Sequence, residues 1–179
     1  MGGTRSGIRA LAAAEGLAAP DLARWRDIVE EAPEFAAAVR ERLDAHVHKT
    51  IATLRADGSP RISGIETFFA DGDIWIGSMP NARKALDLRR DARYALHSGS
   101  QDPPGWPGDA KLSGRAEEIT DQERRLELFR RRDSDPPSSD SHLFRLDIDE
   151  AALIGLNEPR DRLVIQLWRP GRPLGQIER

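Results

Sequence analysis

Cysteine is absent from the 179 residues, which excludes a disulfide framework, a thiolate metal site and a thiol nucleophile. Long apolar runs are absent as well: no stretch approaches the roughly 20 residues that cross a bilayer. The Ala-rich opening MGGTRSGIRALAAAEGLAAP is broken by Arg9 and Glu15, so it lacks the apolar core of a secretory signal. The expectation is a soluble, cytoplasmic protein with no membrane partner. A basic excess is also missing. Lys plus Arg number 27 against 30 Asp plus Glu, a formal charge of −3, whereas nucleic-acid binders carry a positive surplus. There are no internal repeats. The four histidines, His46, His48, His97 and His142, form no HxxxH-type pair and read as structural or surface residues. Lysine is scarce too. Only Lys49, Lys84 and Lys111 stand among 24 arginines, and since the two cations differ in shape, hydration and donor geometry, each lysine is worth locating.

What is present fits one domain, with a flexible lead over residues 1–19 and a single unit over 20–179. Leu22, Trp25, Ile28 and Val29 recur at helical spacing. Pro33 suits a first helical turn, and Phe35, Val39, Leu43 and Val47 make an i, i+4 stripe for a second helix. From Lys49 the period changes. KTIATLR, RISGIETFF and DIWIG are short β-branched and aromatic runs separated by ADGSP and ADGD, which are hairpin-turn compositions, so an antiparallel meander is expected over 49–78. NARKALDLRRD reads as a helix with Asn81 as N-cap. RYALHS is a strand, and GSQDPPGWPGD a Pro/Gly loop too long for a simple hairpin turn.

DAKLSGRAEEI reads as a strand whose internal Gly114 marks a bulge or a close backbone approach. TDQERRLELFRR reads as a helix opened by a Thr120/Glu123 capping box, and RRDSDPPSSDS as an exposed loop. HLFRLDIDEAALIGL and RLVIQLWR complete the strands, the latter closing the chain. The fold class is α+β: an antiparallel split β-barrel with peripheral helices and an N-terminal helical extension.

The segment Gly77-Ser78-Met79-Pro80-Asn81-Ala82-Arg83-Lys84 is the best place for chemistry. A strand ends, a hydroxyl appears, and a helix opens with two cations in its first turn. Cations are disfavoured at that positive end, and a bound phosphate would reverse the sign. Glu66, in an otherwise apolar or small strand, is a solvent-facing residue or an acid or base facing a cavity. Trp75, Trp106 and Trp168 read as packing residues, and Trp106 lies in a loop where its burial has to come from a partner or ligand. The basic run from Arg83 to Arg93 reads as a solvated helix face.

The pieces ATLRADGSPRIS, DGDIWIGS, NARKALDLRRDARYAL, DAKLSGRAEEI and IQLWRPG, in this order, resemble the pyridoxamine 5'-phosphate oxidase-like split β-barrel family of flavin- and deazaflavin-binding proteins. The resemblance implies a homodimer with FMN or its 5-deazaflavin analogue between the subunits, and hydride transfer on a small organic substrate. It implies that Arg61, Ile62 and Ser63 run along the flavin ring and phosphate. Ser78, after Gly77, would contact the flavin tail, and Arg83 and Lys84 would hold the phosphate. Lys111 would lie near the cofactor and Trp168 beside the flavin, with Trp106 and Trp168 open to contribution from the partner chain. The departures point away from vitamin B6 oxidation. The oxidases' substrate-gripping Arg-Pro and Ser-Gln segment and Arg-Leu-His-Asp-Arg type terminus are missing; after Trp168 the chain reads RPGRPLGQIER. Asp109 stands where those oxidases present glutamine. The alternatives are a non-catalytic flavin- or deazaflavin-binding protein, and a haem-binding or haem-degrading relative.

Overall fold

The computed structural model describes residues 21–132, 138 and 140–179; the lead over 1–19 and much of the loop expected around 133–139 lie outside the described residues. Four helices and nine strands are present among them: α1 (Trp25–Glu31), α2 (Pro33–Asp44), β1 (Lys49–Leu54), β2 (Pro60–Ile65), β3 (Thr67–Ala70), β4 (Asp73–Ser78), α3 (Arg83–Arg90), β5 (Arg93–His97), β6 (Asp109–Glu118), α4 (Gln122–Arg131), β7 (His142–Leu156), β8 (Leu163–Trp168) and β9 (Gly175–Glu178). All pairings are antiparallel, in the order β2-β1-β5-β6-β7-β4-β3, with β8 added to β7 and β9 to β8. The sheet curls without closing, because β2 and β3 end the path unpaired with each other. This is the expected α+β fold on a split antiparallel barrel.

The expected continuous meander over 49–78 is corrected by that order. β1–β2 and β3–β4 are separate hairpins at opposite ends of the path, and RISGIETFF breaks at Glu66 into β2 and β3. The two Asp-Gly turns form as expected. Gly58 has φ +84°, and Asp71 and Gly72 have φ +55° and +77°, the left-handed pair that a two-residue hairpin needs. RLVIQLWR is not the last strand, since β9 follows it.

Strand β7 organises the rest. Its 15 residues pair with β6 along most of their length, while β4 takes residues 142–146 of its other edge and β8 takes residues 151–156. A bulge between Ser113 and Gly114 lets β6 follow the bend. Gly114 shows why glycine is needed there: a Cβ on it would stand 1.9 Å from the Asp147 carbonyl oxygen, which confirms the close approach expected from the sequence.

Helices α1 and α2 cover the concave side. Trp25, Ile28, Phe35, Val39 and Leu43 join Ile51, Ile74, Ile76, Leu112, Phe144, Ile148 and Trp168 in the main core. Each such large side chain contributes about 1.5–3 kcal/mol on burial. Val47, expected to extend the α2 stripe, lies beyond the helix end at Asp44 and is exposed. Along β4 the alternation serves two layers: Ile74 and Ile76 face the main core, whereas Trp75 packs with Leu128, Phe129 and Leu143 beneath α4. Salt links fix the outer pieces. Buried Asp73 pairs with Arg24 and Arg26 ahead of and within α1, and Asp71 pairs with Arg124 and Arg131 on α4.

Two caps differ from expectation. Asn81 adopts φ +58°, which suits a turn rather than the extended backbone of an N-cap, so α3 starts one residue later with Ala82 as N-cap. The α4 cap is Asp121, whose carboxylate accepts from Arg124 N at 2.7 Å. A carboxylate is a stronger cap than the neighbouring threonine. No described helix is long and apolar enough to cross a membrane.

Candidate functional site: a cleft at the split of the barrel

The open seam of the sheet holds a cleft of about 490 Å³. Gly64, Ile65 and Glu66 form one wall, where β2 ends. Gly77, Ser78 and Met79 form a second, where β4 ends, and Ala82 and Lys84 of the α3 start, Phe129 and Arg132 of α4, His48 and Ser141 complete it. The local chain explains the shape. The lack of a side chain at Gly77 lets Phe129 of α4 pack against it, with the ring 3.3 Å from where a Cβ would stand.

Three features at the α3 end suit an anion. The Ser78 hydroxyl oxygen is shut from solvent without a hydrogen-bond partner, a costly state for a polar atom. The N-cap Ala82 offers no side-chain hydrogen bond, so the first N–H groups of α3 keep donors free for a ligand. Lys84 reaches back across the cleft, where its Nζ donates to the Gly64 carbonyl at 2.6 Å. Burial pushes its ammonium below the usual lysine value, as expected for a cation with no carboxylate beside it. These groups fit a phosphate-bearing ligand. The Thr67 hydroxyl, at the start of β3, is likewise buried without a partner.

The opposite wall is charged. Arg132 pairs with Glu66, and its guanidinium lies over the Phe68 ring, 5.6 Å from the centroid. The His48 Nδ1 stands 3.8 Å from Glu66. Lys49 lies behind, buried, with Nζ donating to the Val47 carbonyl at 3.3 Å; desolvation pushes it below the usual lysine value, against the opposing pull of Asp44 and Glu66.

The structure thus brings Gly77, Ser78 and Lys84 into one cleft. Arg83 is exposed beside it on the same helical turn. Arg61 is turned toward α3, where its Nε donates to Asp87 at 2.6 Å. Asp87 is only 4% exposed; burial pushes its carboxyl up, but hydrogen bonds from Arg61, Arg90 and Thr53 hold it below the usual carboxylate range. Ser63 stands between Arg61 and Ile65 on β2, half-buried.

Ile62 and Lys111 belong elsewhere. They line a second, mostly apolar cavity of about 330 Å³ on the outer face of β1, β5 and β6, together with Ala52, Ala95, His97 and Glu150. Asp109 accepts from Trp106 Nε1 at 3.0 Å, so the loop tryptophan is held by its own chain. Trp168 is 1% exposed in the main core with Nε1 bonded to Glu31 at 3.0 Å, and it lines neither cavity.

Glu66, weighed above as a solvent-facing or cavity residue, does line the cleft. Arg132 was not singled out from the sequence. It ends a helix in an Arg-rich run, and only the docking of α4 shows which arginine of that run reaches the site.

Comparison with known proteins agrees with this architecture. The model describing pyridoxamine 5'-phosphate oxidase matches residues 35–155, more than half of the chain. No curated protein sequence matches. Among solved structures, PhzG from Burkholderia lata, in complex with tetrahydrophenazine-1-carboxylic acid, is 14% identical with a TM-score of 0.60, covering 86% of this chain and 91% of its own. A pyridoxamine 5'-phosphate oxidase-related, FMN binding protein from Nostoc punctiforme is 12% identical with a TM-score of 0.59, covering 83% and 95%. A heme binding protein from Mycobacterium smegmatis is 21% identical with a TM-score of 0.51, covering 79% of this chain and 57% of its own. At these identities the solved structures establish the fold alone; the family match rests on the sequence itself. By that match, the chain belongs to the pyridoxamine 5'-phosphate oxidase family.

Proposed function

We propose that the protein binds FMN or a 5-deazaflavin analogue in the cleft and acts as an oxidoreductase, with hydride transfer to or from a small organic substrate. The observation that carries this reading is the buried, unpartnered Ser78 hydroxyl beside the uncapped start of α3 and the Lys84 ammonium. A ligand phosphate would satisfy all three at once. The flavin, when bound, supplies the hydride chemistry. The chain would anchor the phosphate through Ser78, Lys84 and the α3 N–H groups, with Arg83 adding charge from the rim. Ile65, Met79 and Phe129 would keep water from the body of the ligand.

The family resemblance carries a homodimer into this reading, and the outer face of β1, β5 and β6 supports it. Ile62 is 74% exposed there, at the edge of the apolar second cavity. One specific feature favours a second reading, in which the cleft takes haem: the imidazole of His48 lies on its wall. Among the structural neighbours, the Nostoc protein is an FMN binding protein and the Mycobacterium protein a heme binding protein, which supports weighing both readings.

Absorbance titration of the purified protein with FMN, the deazaflavin and haem separates the readings. Saturable flavin or deazaflavin binding that Lys84→Ala weakens by about tenfold or more, the worth of a charge-assisted contact, is expected, with an exposed control such as Arg40→Ala unchanged. Binding of haem alone, or of none of the three at micromolar concentration, overturns the proposal.

A further inference from the structure

We propose that Lys84 is an acylation site whose donor is an acyl phosphate, the mixed anhydride of a carboxylic acid and phosphoric acid, and that acylation there controls loading of the cleft. The control of cofactor loading rests on the reading of the cleft as a flavin site; the acylation itself needs only the phosphate corner.

The fold gives each of the three lysines a different surrounding. Lys49 is 5% exposed behind the cleft wall, with Nζ on the Val47 carbonyl. Lys111 is exposed on the outer sheet face, in the cavity that holds Glu150. Lys84 lines the cleft together with Ser78. Its Nζ donates to the Gly64 carbonyl at 2.6 Å, and desolvation in the cleft, with no carboxylate opposing it, holds the ammonium below the usual lysine value. More of the amine is then neutral at a given pH, and the neutral amine is the nucleophile. The Gly64 carbonyl takes one N–H and leaves the nitrogen lone pair free.

The neighbours of that amine suit the rest of an acyl phosphate. The Ser78 hydroxyl is shut from solvent without a partner, and the Ala82 cap leaves the first N–H groups of α3 as donors, so a phosphate here is held from two sides. In an acyl phosphate the acyl carbon is joined to phosphorus through a single oxygen. An amine that touches the phosphate therefore also reaches the carbonyl, and holding the two together raises the rate of attack. Ile65, Met79 and Phe129 offer apolar surface to the acyl chain. In the step itself the nitrogen lone pair forms an N–C bond to the acyl carbon and the C–O bond to phosphate breaks. Phosphate leaves with the bonding pair and takes up the proton released by nitrogen. The product is a neutral amide, so the phosphate corner loses its lysine cation.

The test incubates the full chain with acetyl phosphate and, separately, with the N-hydroxysuccinimide ester of acetic acid, which carries no phosphate. Peptide mass spectrometry reads the rate at each lysine. The ratio of Lys84 to Lys111 acetylation should be at least about tenfold higher with acetyl phosphate than with the ester, the worth of a charge-assisted contact to the phosphate. Comparing the two reagents cancels differences in exposure and basicity between the two lysines. Inorganic phosphate should protect Lys84 from acetyl phosphate and leave Lys111 unchanged, and Ser78→Ala should lower the ratio several-fold. Equal ratios with the two reagents overturn the proposal, as does labelling of Lys84 that phosphate does not slow; both measurements use the unaltered chain and decide even if Ser78→Ala does not fold. FMN titration then separates the two readings. Acetylated protein should bind FMN at least about tenfold more weakly than untreated protein, and equal binding overturns the control of loading. If FMN does not bind while phosphate-dependent labelling holds, the flavin reading falls and the acylation site stands. If FMN binds and Lys84 shows no preference for acetyl phosphate, the acylation site falls and the flavin reading stands.

Discussion

Asp87 on α3 accepts a 2.6 Å hydrogen bond from Nε of Arg61 on β2. This contact ties the helix whose first turn faces the cleft to the strand that forms the cleft's far wall. Thr53 Oγ1 and Arg90 donate to the same carboxylate, so three elements meet on one buried charge. The arginine that the resemblance places along the flavin is thereby engaged in holding α3 in position.

Asp87→Asn should therefore destabilise the fold by about 3 kcal/mol, the lower end for breaking a buried ion pair, since Arg61 and Arg90 keep some access to water. For a chain of this size that corresponds to a melting temperature lower by roughly 6–12 °C. The pH dependence has a fixed sign. The folded carboxyl lies below its unfolded value of about 3.9, so its contribution is complete above that pH and is lost as pH falls through the folded value. The difference in melting temperature between the two proteins should narrow on acidification from pH 6 toward pH 3. Asp91, held at about 2 mainly by the hydrogen bond from Arg93, adds an acid dependence common to both.

Gly114→Ala should cost more than about 4 kcal/mol, in the range reserved for severe local conflict. The added methyl meets the Asp147 backbone, which has no flexible end to move aside. Circular dichroism melting of the variant against wild type measures it, and a loss under about 1 kcal/mol would show that β6 and β7 can separate at the bulge.

Trp168→Phe should lower stability by about 1–2 kcal/mol, from the lost bond to Glu31 and the void left by the smaller ring. Flavin affinity should stay within about twofold of wild type, because the indole is enclosed in the core of its own chain. A large fall in affinity with unchanged stability would place the ring at the cofactor after all.

Because burial holds the Lys84 ammonium below the usual lysine range, affinity for FMN should start to fall on the alkaline side before the ordinary lysine pKa of about 10.4. Riboflavin, which lacks the phosphate, should show no such decline. Lys84→Arg should carry FMN affinity unchanged to higher pH, since guanidinium does not lose its proton there.

The sequence made much of this legible where a residue type has one structural use. Asp-Gly turns, the alternation of HLFRLDI and the glycine inside β6 each imply a local geometry that the structure reproduces. Ser78 and Lys84 were legible for the same reason, since a hydroxyl and a cation at a strand-to-helix junction form a short-range pattern. Long-range choices were not legible. Nothing in RISGIETFF shows that the chain breaks at Glu66 and sends β2 and β3 to opposite ends of the sheet, because strand order depends on pairings made far along the chain. Arg132 was invisible among the seven arginines that run from Arg115 to Arg145 inclusive, and the position of Trp168 depended on the docking of α1, from which Glu31 meets its indole.

Since β7 carries β6 on one edge and both β4 and β8 on the other, its backbone amides are released only when a pairing in the interior of the sheet parts. Their exchange with deuterated solvent should follow global opening, while β9, bonded to β8 alone, should exchange by local fraying. A ligand in the cleft binds only the assembled state and so raises the free energy of that global opening. Its protection should therefore extend along β7 to Ile154, at the far end from Ser78, and leave the amides of β9 unchanged.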